Sequence, residues 1–151
     1  MNELILYLGE QAKKSHKELF SLGDDCYLTA GENIIDDLLA LSTHNLSRLH
    51  ISAGWETILK IAVWTHERPS GGDVLSLMKK SGLSEGELTP FINSDIGDLF
   101  PRLYYGNRLD VLRRVCNAAK AKAESKMGSK RLLVYCHLVS HEAGKIVASS
   151  L

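Results

Sequence analysis

Apolar residues recur at the three-to-four-residue spacing of an α-helix along nearly the whole chain, and this constrains the fold more than any other feature. Leu4, Leu8, Ala12 and Leu19 mark a first helix, closed by Gly23. Thr29 and Glu32 have the spacing of a capping box, in which the hydroxyl accepts from the third amide and the carboxylate reaches back. A second helix then carries Ile34, Ile35, Leu38 and Leu41. A third runs from Ser52 to His66, with Trp55, Ile58, Leu59, Ala62 and Val63 inward. Asp73 opens a shorter helix that Gly82 closes, and Ser84 with Glu87 forms a second capping box. Pro90 and Pro101 each remove an amide donor and collide with the preceding turn, so residues 84–105 should be short helical pieces. Asn107 caps a long basic helix to Lys122, and Ser129 opens a last helix to Ala148. No run alternates with period two for long enough to read as a strand. The expectation is an all-α fold: a compact bundle of about six to seven helices, one domain spanning 1–151.

The chain's 151 residues suit one domain, and 44% apolar with 24% charged residues excludes a disordered polymer. Cys26, Cys116 and Cys136 are an odd set with no CxxC pair, which argues against a disulfide framework or a zinc finger. No stretch reaches the roughly 18 apolar residues of a membrane span. Glu3 and Glu10 interrupt the N-terminal apolar positions, and the stretch does not read as a signal peptide. These features predict reduced thiols, a cytoplasmic location and no membrane partner. The formal net charge is zero but unevenly placed: −4 over residues 1–60, −3 over 61–100 and +7 over 101–151. An acidic body of two thirds joined to a basic third suits an anionic partner or a head-to-tail assembly.

Several short patterns suggest chemistry, each with a plainer rival. Residues 73–91 have the apolar spacing and turn glycine of a helix-turn-helix, but Pro90, Glu85 and Glu87 are wrong for a helix lying against phosphates. His137 and His141 would sit one helical turn apart, a spacing that can chelate zinc, but no third ligand is evident. Satisfied or surface histidines, and no metal, are the plainer reading. Cys136 and His137 are adjacent and would diverge by about 100° on a helix, so they do not form a thiol–imidazole pair. Arg131 and His137 have the loose Arg…His spacing of the HEPN ribonucleases, with Leu132 where that pattern is usually polar; the rival is a salt-bridging Arg and an unrelated His. The basic third carries the most information. On a helical projection Leu109, Leu112, Val115, Cys116 and Ala119 form an apolar arc, with Arg113, Arg114 and Lys120 opposite it. Lys122, Lys126, Lys130 and Arg131 cluster beyond. Asp110 and Glu124 can neutralise part of this charge through local pairs; the remaining cations can hold phosphates without reading bases.

From Trp55 onward the order of features resembles the small-subunit family of type I CRISPR Cascade complexes. The resemblance covers residues 55–140. It rests on the apolar helix Glu56–Trp64, the loop Arg68–Asp73, the run Leu88, Phe91, Ile92, Asp95, Leu99, Arg102 and Leu103, and the helix Leu109–Ala119. The first 50 residues do not match, and members are usually more basic. The resemblance implies a helical, non-catalytic subunit of a larger nucleoprotein assembly, antiviral in role and without cofactors. It would hold DNA or RNA backbone through Arg102, Arg108, Arg113, Arg114, Lys120, Lys122, Lys126, Lys130 and Arg131. Its partners would be other protein subunits, or itself as a dimer. The alternatives are a protein–protein interaction module (immunity factor, adaptor or secretion chaperone) and a HEPN-type ribonuclease using Arg131 and His137.

Overall fold

The computed structural model describes residues 3–128 and 131–150. The fold is mixed α/β, which corrects the all-α expectation. Five strands, β1 (Glu3–Tyr7), β2 (Tyr27–Thr29), β3 (Arg48–Ala53), β4 (Leu133–Ser140) and β5 (Lys145–Ser149), form one sheet in the order β2-β1-β3-β4-β5. Strands β1, β2, β3 and β4 are parallel, and β5 returns antiparallel to β4. The helices are α1 (Glu10–Phe20), α2 (Ile34–Leu41), α3 (Trp55–Val63), α4 (Gly71–Lys80), α5 (Glu85–Leu88), α6 (Leu99–Tyr105) and α7 (Leu109–Met127). None of them is long and apolar enough to cross a membrane.

The physical reason for the misreading lies in burial. Strands covered on both faces read as continuous apolar runs, because neither side chain of an adjacent pair meets water. Ile5 and Leu6 are both fully buried on β1, and in β4 every residue from Cys136 to Ser140 is buried. Such runs place apolar residues at helical as well as strand intervals. The first expected helix is therefore β1 followed by α1, and the start of the third is β3. The last expected helix is the β4–β5 hairpin; its proposed cap, Ser129, lies outside the described residues.

Local signals fared unevenly. The Ser84–Glu87 capping box is present with both reciprocal bonds, and Gly82 is left-handed at φ 111°. The short pieces around Pro90 and Pro101 are also found. Thr29 instead ends β2, and α2 is capped by Asn33, whose side chain accepts from the Ile35 amide. Ser70 rather than Asp73 caps α4. With α5 only four residues long, residues 73–91 contain no recognition helix.

The chain runs from β1 outward to β2 and then reverses to β3 and β4. Right-handed crossovers on either side of a reversal put their helices on opposite faces. Helix α1 is accordingly alone on one face, over a small cluster of Tyr7, Ala12 and Val139. The main core lies on the other face, where α2, α3 and α7 cover Leu49, Ile51, Val134, Cys136 and Leu138.

Candidate metal centre

The face under α1 follows from strand register. Pairing of Glu3 with Arg48 and of Ile5 with His50 aligns β1 and β3, while Ser52 pairs with His137 on β4 and His137 with Ser149 on β5. With side chains alternating along each strand, Glu3, Arg48, His50, Ser52, Tyr135, His137 and Ser149 share one face. Helix α1 is fastened above it. The Ser52 hydroxyl donates to the Ala12 carbonyl at 2.9 Å, and the Gln11 amide donates to the Gly144 carbonyl at 2.9 Å. This sets His16, in the second turn of α1, directly over His50 and His137.

The three imidazoles are buried, at 0%, 6% and 3% exposure for His16, His50 and His137. One nitrogen from each lies within 4.8 Å of the other two. The rings of His50 and His137 are stacked, with planes 9° apart, and His16 meets both edge-on. Phe20, one turn after His16 on α1, stacks on the His16 ring at 4.4 Å.

Each ring is held by one nitrogen from outside. His50 Nε2 donates to the Glu3 carboxylate at 3.2 Å, His137 Nδ1 bonds the Ser149 hydroxyl at 2.8 Å, and His16 Nδ1 bonds the Tyr27 hydroxyl at 2.7 Å. The nitrogens left over are His50 Nδ1, His137 Nε2 and His16 Nε2. The first two are 2.9 Å apart. In the ion-free protein they are satisfied if Ser149 donates to His137 Nδ1 and His137 Nε2–H donates to His50 Nδ1. His16 Nε2 has no such escape: it is a buried polar atom without a hydrogen-bond partner among the described residues.

Burial keeps the rings neutral. Desolvation, reinforced by His50, takes the His16 pKa from 6.5 down to about 4. Desolvation, with His16 and His50 adding to it, takes His137 down to about 3. His50 is also lowered by burial, opposed by the Glu3 carboxylate and assisted by Arg48. Neutral imidazole is the form that binds transition metals, so coordination needs no net loss of protons, only that His137 carry its proton on Nδ1, where it can donate to Ser149. His50 and His137 also form part of the floor of a pocket of about 380 Å³, which Glu3, Arg48, Tyr135 and Ser149 help to line. It opens at the strand starts, whereas parallel sheets of this winding usually bind ligands beyond the strand ends.

Sequence spacing alone linked His137 to His141. The structure puts His137 inside β4 and His141 past its end and exposed, so the helical premise of that pair fails. Arg131 is exposed just before β4, about 20 Å along an extended chain from His137. Cys136 and His137 point to opposite sheet faces, and burial holds the Cys136 thiol well above its usual pKa.

Four of the basic residues expected to hold phosphates, Arg102, Arg108, Arg114 and Lys120, have partners within the protein. Arg108 is paired with Glu87 and Asp110. Lys120 donates to Glu124 at 2.9 Å and to the Val134 carbonyl at 2.8 Å. Arg114 reaches the Ser81 carbonyl at 3.3 Å, and Arg102 lies over the Phe91 ring. Arg113, Lys126 and Arg131 are exposed and Lys122 half-buried, without an ion pair among the described residues. Lys130 lies outside the described residues. Sequence reasoning missed Glu3, His16, Tyr27, Arg48, His50 and Ser149. The available signal was the segment Arg48–Ala53, where reading Leu49, Ile51 and Ala53 as one strand face puts His50 and Ser52 on the other. No protein-family model, curated protein or solved structure matches the chain.

Proposed function

We propose that this protein binds a single zinc ion through His16 Nε2, His50 Nδ1 and His137 Nε2, with its fourth position turned to the pocket and filled by water. The observation that carries this reading is His16 Nε2. A buried nitrogen without a partner costs about 1–3 kcal/mol, and no tautomer of the three rings satisfies it, whereas a cation among the inner nitrogens satisfies all three at once. The outer contacts support the same reading, since metal-bound histidines are normally oriented by a hydrogen bond from the other ring nitrogen, a carboxylate being a common partner.

The fit requires modest movement. Tetrahedral zinc at ~2.05 Å from each nitrogen sets the nitrogens roughly 3.3 Å apart. The His50–His137 pair, at 2.9 Å, opens by a few tenths of an ångström, and the His16 ring, which has a nitrogen within 4.8 Å of one on each of the other two, moves in to complete the site. Three protein ligands with an open fourth position are the arrangement of zinc sites that lower the pKa of bound water to about 7 and so supply hydroxide at neutral pH. None of the three cysteines is in a disulfide, which suits a reducing compartment such as the cytoplasm. Nucleic-acid backbone binding by the C-terminal cations has less support, because Arg108 and Lys120 already have carboxylate partners.

The test is calorimetric titration of chelator-stripped protein with zinc, with folding checked by circular dichroism. One equivalent should bind, and zinc at about 100 times its dissociation constant should stabilise the fold by about 2.7 kcal/mol. His16→Ala should stay folded and lose both effects. If the wild type binds no zinc, or His16→Ala binds it as tightly, the centre is not a metal site.

A further inference from the structure

We infer that the pocket over the three-histidine centre receives a small oxyanion, a carboxylate or a phosphate group, held between the ion and the Arg48 guanidinium. The inference rests on the zinc reading and names the ligand class of that site. Its first support is charge. Arg48 lies two residues before His50 on the same strand face and lines the same pocket. Its register neighbour Glu3 forms no ion pair with it, and the Glu3 carboxylate instead accepts from His50 Nε2 at 3.2 Å. The Arg48 guanidinium, exposed on β3, has no ion pair or hydrogen bond with another described residue. A divalent ion and Arg48 together outweigh the single Glu3 carboxylate, leaving the loaded pocket with an excess of two positive charges. Cationic ligands are repelled, and anions are drawn in.

The second support is shape. A guanidinium offers paired N–H donors in a plane, which match two oxygens of a carboxylate or phosphate. A third oxygen of a phosphate is then free to displace the water on the ion, whereas a carboxylate places one oxygen on Arg48 and the other on the ion. Phe20 and Leu22 give the pocket an apolar rim, which strengthens charge interactions by excluding water. At about 380 Å³ the space suits a small molecule.

The experiment uses cobalt(II) in place of zinc, because a change of ligand at the open position alters its visible spectrum. The cobalt-loaded protein is titrated separately with acetate and with inorganic phosphate. At least one should change the spectrum saturably, and the stronger of the two identifies the oxyanion source. Arg48→Gln should take up cobalt yet bind that anion at least ~10-fold more weakly, as expected for loss of a charge-assisted pair; Arg48→Lys should recover part of the loss. If cobalt binds but neither anion alters the spectrum, or Arg48→Gln binds the anion as well as wild type, the oxyanion inference falls and the metal centre stands. If no cobalt binds, both fall.

Discussion

His16 sits in a sequence, Lys-Ser-His-Lys, that would pass for the exposed side of an amphipathic helix. Its burial comes from what lies beneath α1: two strands bring imidazoles to the surface that the helix covers, and Tyr27 at the start of β2 fixes the ring's outer nitrogen. Tyr27→Phe is isosteric apart from this hydroxyl. It should leave the fold intact and weaken zinc binding by about 10–100-fold, the usual cost of losing a partner behind a metal-bound histidine. Calorimetric titration of Tyr27→Phe against wild type measures this; equal affinities would mean that ring orientation is set by packing with Phe20.

At the scale of elements, α7 does more than fill the core. Strand β5 is shorter than β4, so the first residues of β4 lack a neighbour on that side. Glu124 accepts from the Val134 amide at 2.9 Å, and Lys120 donates to the Val134 carbonyl at 2.8 Å. One turn of helix thus occupies both hydrogen-bonding groups of an open strand edge and blunts it against pairing with another chain. Glu124→Ala should lower stability by about 1–2 kcal/mol, read from the urea midpoint, because it leaves the half-buried Val134 amide without its acceptor and Lys120 without its carboxylate. The pair Lys120–Glu124 was legible in the sequence as a helical four-residue spacing, but its strand partner was not. The same division runs through the molecule. Helices with a wet side, such as α4 and α7, announced themselves by periodicity, and Ser84 with Glu87 by its fixed offset. Strands β1 and β4 did not, because burial on both faces removes the alternation that would mark them. The centre was illegible for a related reason: its three imidazoles come from α1, β3 and β4, and only the strand order brings them together.

For the whole molecule, the neutral buried histidines set the response to acid. Without metal, His16 and His137 titrate near 4 and 3 in the folded protein but near 6.5 when unfolded. Between those values the unfolded chain binds more protons, so their contribution is complete above pH 7 and declines as pH falls below 6.5. The loss from pH 7 to pH 5 should be on the order of 2 kcal/mol for each ring. Urea unfolding of chelator-treated protein at the two pH values checks this; a midpoint that does not fall would mean the rings are already protonated or accessible when folded. The centre also has a bearing on assembly. Residues 16, 50 and 137 are separated by long stretches of chain, and β4 must dock beside β3 under α1 before the third imidazole is in place. A half-assembled polypeptide cannot bring the three imidazoles together, so zinc bound there at full occupancy would mark a molecule that had finished folding.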